Sequence, residues 1–177
     1  MGDLPVERVR SCNRSFTTTD LDYTDPIQVR ESRRRGRIHI SKRYIAIFVC
    51  TSTKTVHLEI VTDLTIDSFL TALRRFIARR GLYAQIFSDN GTNFVGAARH
   101  RKELYEFMNK EQEMIKSELT DQRIEWHFIP PRAPNFGGLW EAAVKSTKRH
   151  LFTVTEGRIH TYEEYSTILS QIEAVQC

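Results

Sequence analysis

The stretch that decides the fold is residues 44–61, which read YIAIFVCTSTKTVHLEIV. Residues 44–50 form an almost continuous apolar run, the pattern of a strand that is buried on both faces. Residues 51–54 have the composition of a turn. Residues 56–61 alternate apolar and polar side chains, which is typical of a half-buried strand. The stretch therefore predicts two antiparallel strands joined by a short turn.

Further strands and helices lie on both sides of this hairpin. Residues 18–29 predict another strand, and the basic turn at 31–40 joins it to the hairpin, which completes an antiparallel three-strand meander. After the hairpin the apolar spacing becomes helical, with Thr65 as the expected N-cap and Gly81 as the residue that ends the helix. The remaining predicted elements are a strand at 84–87, a helix at about 100–118, a strand at 124–129, a loop at 130–138, a helix from about Leu139 and a helix at 162–175. This order predicts a mixed α/β sheet.

The composition is that of one ordinary globular domain. The 177 residues are 40% hydrophobic and 27% charged, which suffices for one core but hardly for two. The net charge of +4 and the pI near 9.1 permit nucleic-acid binding but are not diagnostic of it. Arginines concentrate in residues 30–37 and 74–80, where solvated loop or helix-end charge is an equally good explanation. No apolar run is long enough to cross a bilayer.

Cysteine and histidine usage argues against a zinc site. Cys12, Cys50 and Cys177 are odd in number and far apart, so neither a disulfide framework nor a Cys-x-x-Cys site is expected. The six histidines include no His-x-x-x-His pair. These observations predict a reducing, intracellular compartment.

Three acidic residues stand where strands or helices meet turn-forming sequence. Asp22 lies in the first strand, Asp89 ends a short strand, and Glu141 opens a helix after the Pro/Gly loop. Because ligands bind beyond the carboxyl ends of strands in open sheets, Asp89 is well placed for chemistry. Each residue also has a structural explanation: Asp89 could serve a tight turn, and Glu141 could favour the helix dipole. Asp22 could simply be exposed, with Asp20 and Asp25 as competing candidates.

The helix that follows Glu141 carries a stripe of charge. Glu141, Lys145 and Lys148 are spaced four and seven residues apart, so they share one helix face. One interpretation is a ladder of ion pairs that stabilises the helix slightly. The functional interpretation is a metal ligand followed by two lysines that anchor phosphates.

Longer motifs resemble those of retroelement integrases, and most closely those of the BEL/Pao group of LTR retrotransposons. In chain order they are Asp22-Tyr23-x-x-Pro26, 53–59 (TKTVHLE), 74–81 (RRFIARRG), 88–94 (SDNGTNF), 126–134 (WHFIPPRAP) and 136–145 (FGGLWEAAVK). The resemblance covers nearly the whole chain. It implies an RNase H-like fold in which a mixed five-stranded sheet, three antiparallel strands followed by short parallel strands, is flanked by helices.

The resemblance also implies an activity and a site. A catalytic triad of Asp22, Asp89 and Glu141 would hold two Mg²⁺ or Mn²⁺ ions, with Asp22 bridging both. The implied reactions are 3′-end processing and strand transfer during DNA integration. The implied DNA contacts are Asn90, Arg132, Lys145 and Lys148. The implied partners are the element ends, target DNA and further copies of the chain as a homodimer or higher oligomer, with no membrane, in the nucleus or a retrotransposon particle.

The sequence departs from the family pattern at several points. Related elements usually have glycines where this chain has Asp20 and Asp25, and residues 1–177 contain neither the family's zinc-binding domain nor its basic C-terminal domain. We therefore expect a single catalytic-core domain with an extension at 1–13, from a fragment, a decayed copy or a domesticated gene. The alternative function is a non-catalytic DNA-binding or interaction module with the same fold. A plain nuclease is a third, which the lysines after Glu141 disfavour.

Overall fold

The computed structural model describes residues 14–31, 38–81, 84–89, 106–107, 110–121, 124–129 and 134–176, except for the side chains at 89, 112, 121, 128–129 and 134–141. The strands of this part of the chain are β1 Thr18–Tyr23, β2 Ile27–Arg30, β3 Ile40–Cys50, β4 Val56–Val61, β5 Gln85–Asp89, β6 Glu125–Ile129 and β7 His160–Thr161. The helices are α1 Ile66–Arg80, α2 Gln112–Asp121, α3 Pro134–Thr155 and α4 Tyr162–Val175.

One mixed sheet joins all of these strands. Its order is β6-β5-β1-β3-β2-β7, and β4 pairs with β3. β1 and β4 run antiparallel to β3, whereas β5 runs parallel to β1 and β6 parallel to β5. The predicted mixed α/β fold, with antiparallel strands followed by short parallel strands, is confirmed.

The described sheet has seven strands instead of the five predicted. All five predicted strands are present, but the first of them, residues 18–29, is divided into β1 and β2. At the break the Thr24 hydroxyl accepts a hydrogen bond from the Ile45 amide at 3.3 Å, and Pro26 has no backbone N–H to donate. The two-residue strand β7 then pairs with β2. The difference therefore comes from one interrupted strand and one short addition.

β3 is buried on both faces from Tyr44 onward, as predicted, and it separates two cores. Ala46 and Phe48 belong to the core with the buried residues of α1 and α2. Ile45 and Ile47 belong to the core with the buried residues of α3 and α4. Helices thus cover both faces of the sheet, and β3 is the layer between them.

The ends of two helices agree with their sequence signals. The Thr65 side chain accepts from the Ser68 amide at the start of α1, and Gly81 ends that helix with φ of 87°, a backbone conformation that glycine adopts without strain. α4 begins with a capping box between Thr161 and Glu164. The predictions for these two helices are confirmed.

The other two helices differ from expectation in their limits. α2 ends three residues beyond the predicted 118, and residues 100–105 and 108–109 of the predicted helix lie outside the described residues. α3 begins at Pro134, so the predicted loop at 130–138 is helical in its second half. Proline is suited to the first turn of a helix, where its missing N–H costs no hydrogen bond. No described helix combines the length and the apolar character that crossing a lipid bilayer requires.

β4 is buried along its whole length, so the prediction of a half-buried strand is wrong. His57 is fully buried and Glu59 is 4% exposed. Charged side chains from α1 and α4 cover them and form what we call the β4 charge cluster: His57, Glu59, Arg75, Arg79, Arg80 and Glu173. Burial of polar groups is tolerated when they are paired in this way.

Within the cluster, each buried charge has a partner of opposite sign. Arg75 Nε donates to Glu59 at 2.6 Å, and Arg80 donates to Glu173 at 2.7 Å. His57 lies 3.0 Å from Glu59 and 3.2 Å from Glu173. Burial lowers the pKa of His57, but the hydrogen bonds and charges of the two glutamates outweigh it and raise that pKa overall. Burial raises the pKa values of Glu59 and Glu173, but their hydrogen bonds to His57 and their other partners lower them overall.

The cluster predicts a stability maximum in mildly acidic solution. Glu59 and Glu173 contribute stability above their ordinary pKa of 4.5, and this is lost as pH falls through their lowered folded values. His57 contributes stability that is complete below 6.5 and is lost as pH rises through its raised folded pKa. We expect the free energy of unfolding in urea to peak between about pH 5 and 6.5.

Substitution of His57 measures how much of the loss of stability at higher pH comes from this residue. The variant His57→Gln should lose the decline on the alkaline side, whereas His39→Gln, at an exposed histidine, should keep it. An unchanged alkaline decline in His57→Gln would assign that decline to other groups.

Candidate active site

Strand β1 presents acidic residues on one face only. Leu21 and Tyr23 belong to the core beneath α1 and α2, so Asp20 and Asp22 are on the opposite face. Asp20 is 4% exposed, whereas 23% of the Asp22 side chain is exposed. Asp25 is exposed and lies outside the strand. Of the three competing aspartates, Asp22 is the one that combines a strand position with access to solvent.

The parallel strand β5 brings Asp89 beside Asp22 in the backbone. The register pairs Leu21 with Ser88, and Asp22 and Asp89 each follow by one residue. Neighbouring strands lie about 4.8 Å apart. The structure therefore aligns the ends of the two strands that carry the first two predicted carboxylates.

A buried hydrogen bond holds the end of β5. The Trp126 indole of β6 donates to the Ser88 hydroxyl at 3.0 Å, and the Trp126 ring packs edge-on against Phe69 of α1. This bond fixes the residue that immediately precedes Asp89. The sequence placed Trp126 on a strand, but nothing in it indicated this contact.

Helix α3 lies over the same face of β1. Val144 and Leu151 belong to the core between α3 and the sheet, and the Thr147 hydroxyl hydrogen bonds to the Gln176 side chain at 2.8 Å. With the helix held in this way, Lys148 Nζ lies 3.6 Å from Asp22 Oδ2. The sequence motifs predicted a DNA contact for Lys148 but not this ion pair, although the spacing of Lys148 from Glu141 indicated that both lie on one helix face.

The structure describes some of the remaining predicted site residues completely, some without their side chains and some not at all. Lys145 is exposed on α3. Asp89 and Glu141 are placed in β5 and α3, but their side chains lie outside the described residues, as do Asn90 and Arg132 altogether. Among the side chains that the structure describes, no group of three His, Cys, Asp or Glu residues could hold a metal ion.

Tyr23, next to Asp22 in the chain but on the opposite face of β1, is a neutral group. Burial, and then the adjacent Asp22 charge, raises the pKa of its phenol far above the ordinary value of 10.0. Its hydroxyl is buried and has no hydrogen-bond partner among the described atoms. Tyr23 therefore stays protonated and cannot act as a base.

Asp22 is the described donor at this position whose chemistry suits a hard divalent cation. Asp22 offers carboxylate oxygens, the ligands that Mg²⁺ and Mn²⁺ prefer, and it is partly exposed. The Lys148 ammonium at 3.6 Å indicates that this position favours positive charge. Asp89 ends the neighbouring strand and Glu141 belongs to the helix that carries Lys148, so the sequence supplies further carboxylates from the adjoining elements.

Comparisons with known proteins identify the fold. No family model and no curated protein sequence matches the chain. Among solved structures, the catalytic core domain of BIV integrase is similar with a TM-score of 0.57 and 18% identity, over 89% of this chain and 81% of that one. A chain from the intasome of simian T-cell lymphotropic virus, determined with a PP2A regulatory subunit, is similar with a TM-score of 0.56 and 16% identity, over 98% of this chain. The present chain spans 52% of that longer one. The protein thus has the RNase H-like fold of retroviral integrase catalytic cores.

Proposed function

We propose that the chain is the catalytic core of an integrase that performs metal-dependent 3′-end processing and strand transfer of DNA for an LTR retrotransposon. The observation that carries the proposal is the parallel pairing of β1 and β5, in which Asp22 and Asp89 each follow by one residue the paired Leu21 and Ser88. This alignment occurs on the fold of retroviral integrase cores. Asp22, moreover, contacts the helix that contains Glu141.

The proposed roles follow from the residue types. Asp22, Asp89 and Glu141 would hold two Mg²⁺ or Mn²⁺ ions. When bound, the cations would supply Lewis acidity to the attacking and leaving oxygens of an in-line phosphoryl transfer. Lys145 and Lys148 would bind backbone phosphates as point charges. Asn90 and Arg132 would help to position the DNA.

The strand-transfer reaction exchanges one phosphodiester bond for another. A 3′-hydroxyl of the element end forms a new P–O bond to a phosphate of the target, and the target's own P–O bond breaks to release a 3′-hydroxyl. The hydroxyl proton is passed to solvent, and the leaving oxygen takes up a proton. The step is balanced without a nucleotide cofactor, so the chain's residues have to hold the cations and align the two DNA molecules.

Partners and origin belong to the same proposal. One structural neighbour comes from an intasome, which supports DNA and further copies of this chain as partners. Derivation from a BEL/Pao element is supported by the sequence motifs alone. A site of action inside the cell, in the nucleus or a retrotransposon particle, follows from a DNA substrate.

A non-catalytic DNA-binding module is the second candidate. The observation that favours it is independent of the carboxylates: Lys145 and Arg149 are exposed one turn apart on α3. Such a pair can bind phosphates through charge alone. This candidate predicts salt-sensitive DNA binding without any chemical change in the DNA.

The two candidates are separated by an assay of disintegration, the reversal of strand transfer. The wild-type chain is incubated with a branched DNA that mimics the joined product, in Mn²⁺, in Mg²⁺ and in EDTA. We expect resealed target strand and released element end in Mn²⁺, none in EDTA, and no reaction of an unbranched duplex of equal length. Binding of the branched DNA without product in either metal would contradict the integrase proposal and support the binding module.

A further inference from the structure

Lys148 contacts the carboxylate that the proposed metal would need. Its Nζ lies 3.6 Å from Asp22 Oδ2, and the two side chains are 29% and 23% exposed. We propose that Lys148 is a resident counter-cation of Asp22, which a divalent metal ion displaces when it binds. This inference rests on the proposed function for the identity of the metal, but the ion pair itself belongs to the described structure.

The surroundings of Lys148 fix its backbone but leave its side chain room to move. Val144 and Leu151, one turn on either side, are buried against the sheet. Thr147 is 1% exposed and hydrogen bonds to Gln176. Displacement therefore requires a rotation of the lysine side chain alone, and 29% exposure leaves it an open route to solvent.

The residue type suits an exchange of cations. A lysine ammonium is a compact, strongly hydrated charge on a flexible stem, so it returns to water more readily than a guanidinium that grips both carboxylate oxygens. A divalent ion offers Asp22 twice the charge and directional bonds to oxygen. The ammonium and the metal ion bind the same Asp22 carboxylate, so each must weaken the binding of the other. After displacement, repulsion from the metal would turn the Lys148 ammonium towards solvent, where it can form an ion pair with a DNA phosphate.

Mn²⁺ affinity of the metal-free chain tests this inference without any measurement of activity. Calorimetry or the Mn²⁺ electron-spin signal would be compared for wild type, Lys148→Met, Lys148→Arg and Arg149→Met. Lys148→Met should bind Mn²⁺ roughly fivefold more tightly, as expected when a partly exposed ion pair no longer competes. Lys148→Arg keeps the charge and should bind no more tightly than wild type. Arg149→Met is the matched control, because it removes an equal charge from the adjacent, exposed position, and should change the affinity less than about twofold.

Each outcome decides a different question. If Lys148→Met and Arg149→Met bind Mn²⁺ equally, or Lys148→Met binds it more weakly than wild type, the counter-cation role is overturned and the integrase proposal stands. If neither wild type nor any variant binds Mn²⁺, the proposed function fails and the inference fails with it. If Lys148→Met does not fold, Lys148→Gln provides the same comparison with a polar side chain.

Discussion

An Asp22→Asn protein is expected to lose Mn²⁺-dependent strand joining by a factor on the order of a thousand, since a divalent cation contributes several kcal/mol of charge stabilisation to the transition state. Asparagine keeps the size of aspartate and one oxygen but removes the negative charge that would bind the cation. The ion pair with Lys148 is partly exposed, so its loss should change the free energy of unfolding by less than about 1 kcal/mol. Activity and stability would therefore separate, as measured by disintegration of branched DNA and by urea unfolding.

Asp25→Asn is the matched control for this substitution. It makes the same chemical change three residues later, at an exposed position outside β1, and its activity should stay within about twofold of wild type, because surface substitutions away from the chemistry have small effects. Asp89→Asn should match the loss in Asp22→Asn. Full activity in Asp22→Asn, together with loss in Asp20→Asn, would move the first carboxylate to Asp20, which lies on the same strand face.

A Glu59→Gln protein is expected to be less stable by about 3 kcal/mol, in the range that breaking one partner of a buried ion pair costs. Glu59 is 4% exposed and accepts from Arg75 at 2.6 Å while lying 3.0 Å from His57. The neutral amide would leave the charge of Arg75 without its buried partner. Because a third of the Arg75 side chain is exposed, solvent offsets part of the loss.

The exposed ion pair of the neighbouring arginine of α1 provides the control. Arg74 pairs with Glu118 at 3.5 Å, with side chains 65% and 40% exposed. Glu118→Gln should cost less than about 1 kcal/mol, since exposed ion pairs contribute little. Urea unfolding of both variants measures the difference, and an equal small loss in both would mean that the β4 charge cluster contributes no more than a surface pair.

The elements that could be predicted are those whose signals are local. The apolar run of β3 could be identified from the local sequence alone, because a strand that is buried on both faces has apolar side chains on both of them. Thr65 and Gly81 marked the ends of α1 through the backbone preferences of those two residues alone. The end of β5 at Asp89 was also accessible, because turn-forming residues follow Asp89 directly in the sequence.

The elements that could not be predicted depend on distant partners. The alternation in β4 suggested a polar face open to solvent, but Arg75 of α1 pairs with Glu59, and Glu173, 116 residues after His57, pairs with His57. The contact between Lys148 and Asp22 depends on the packing of α3, which spacing along one helix does not determine. The start of α3 was misjudged because Pro134 was interpreted as a loop residue, although proline also fits a first helical turn.

The central place of β1 has a consequence for the order of biosynthesis. β1 lies between β3 and β5, yet β1 emerges from the ribosome before either of them. Until residues 85–89 have been synthesised, the edge of β1 that β5 will cover offers unpaired amide and carbonyl groups to any other extended chain. Nascent chains are therefore most exposed to aggregation after the meander has formed and before β5 is added. The strand that would supply the first catalytic carboxylate is also the one whose protection depends on later synthesis.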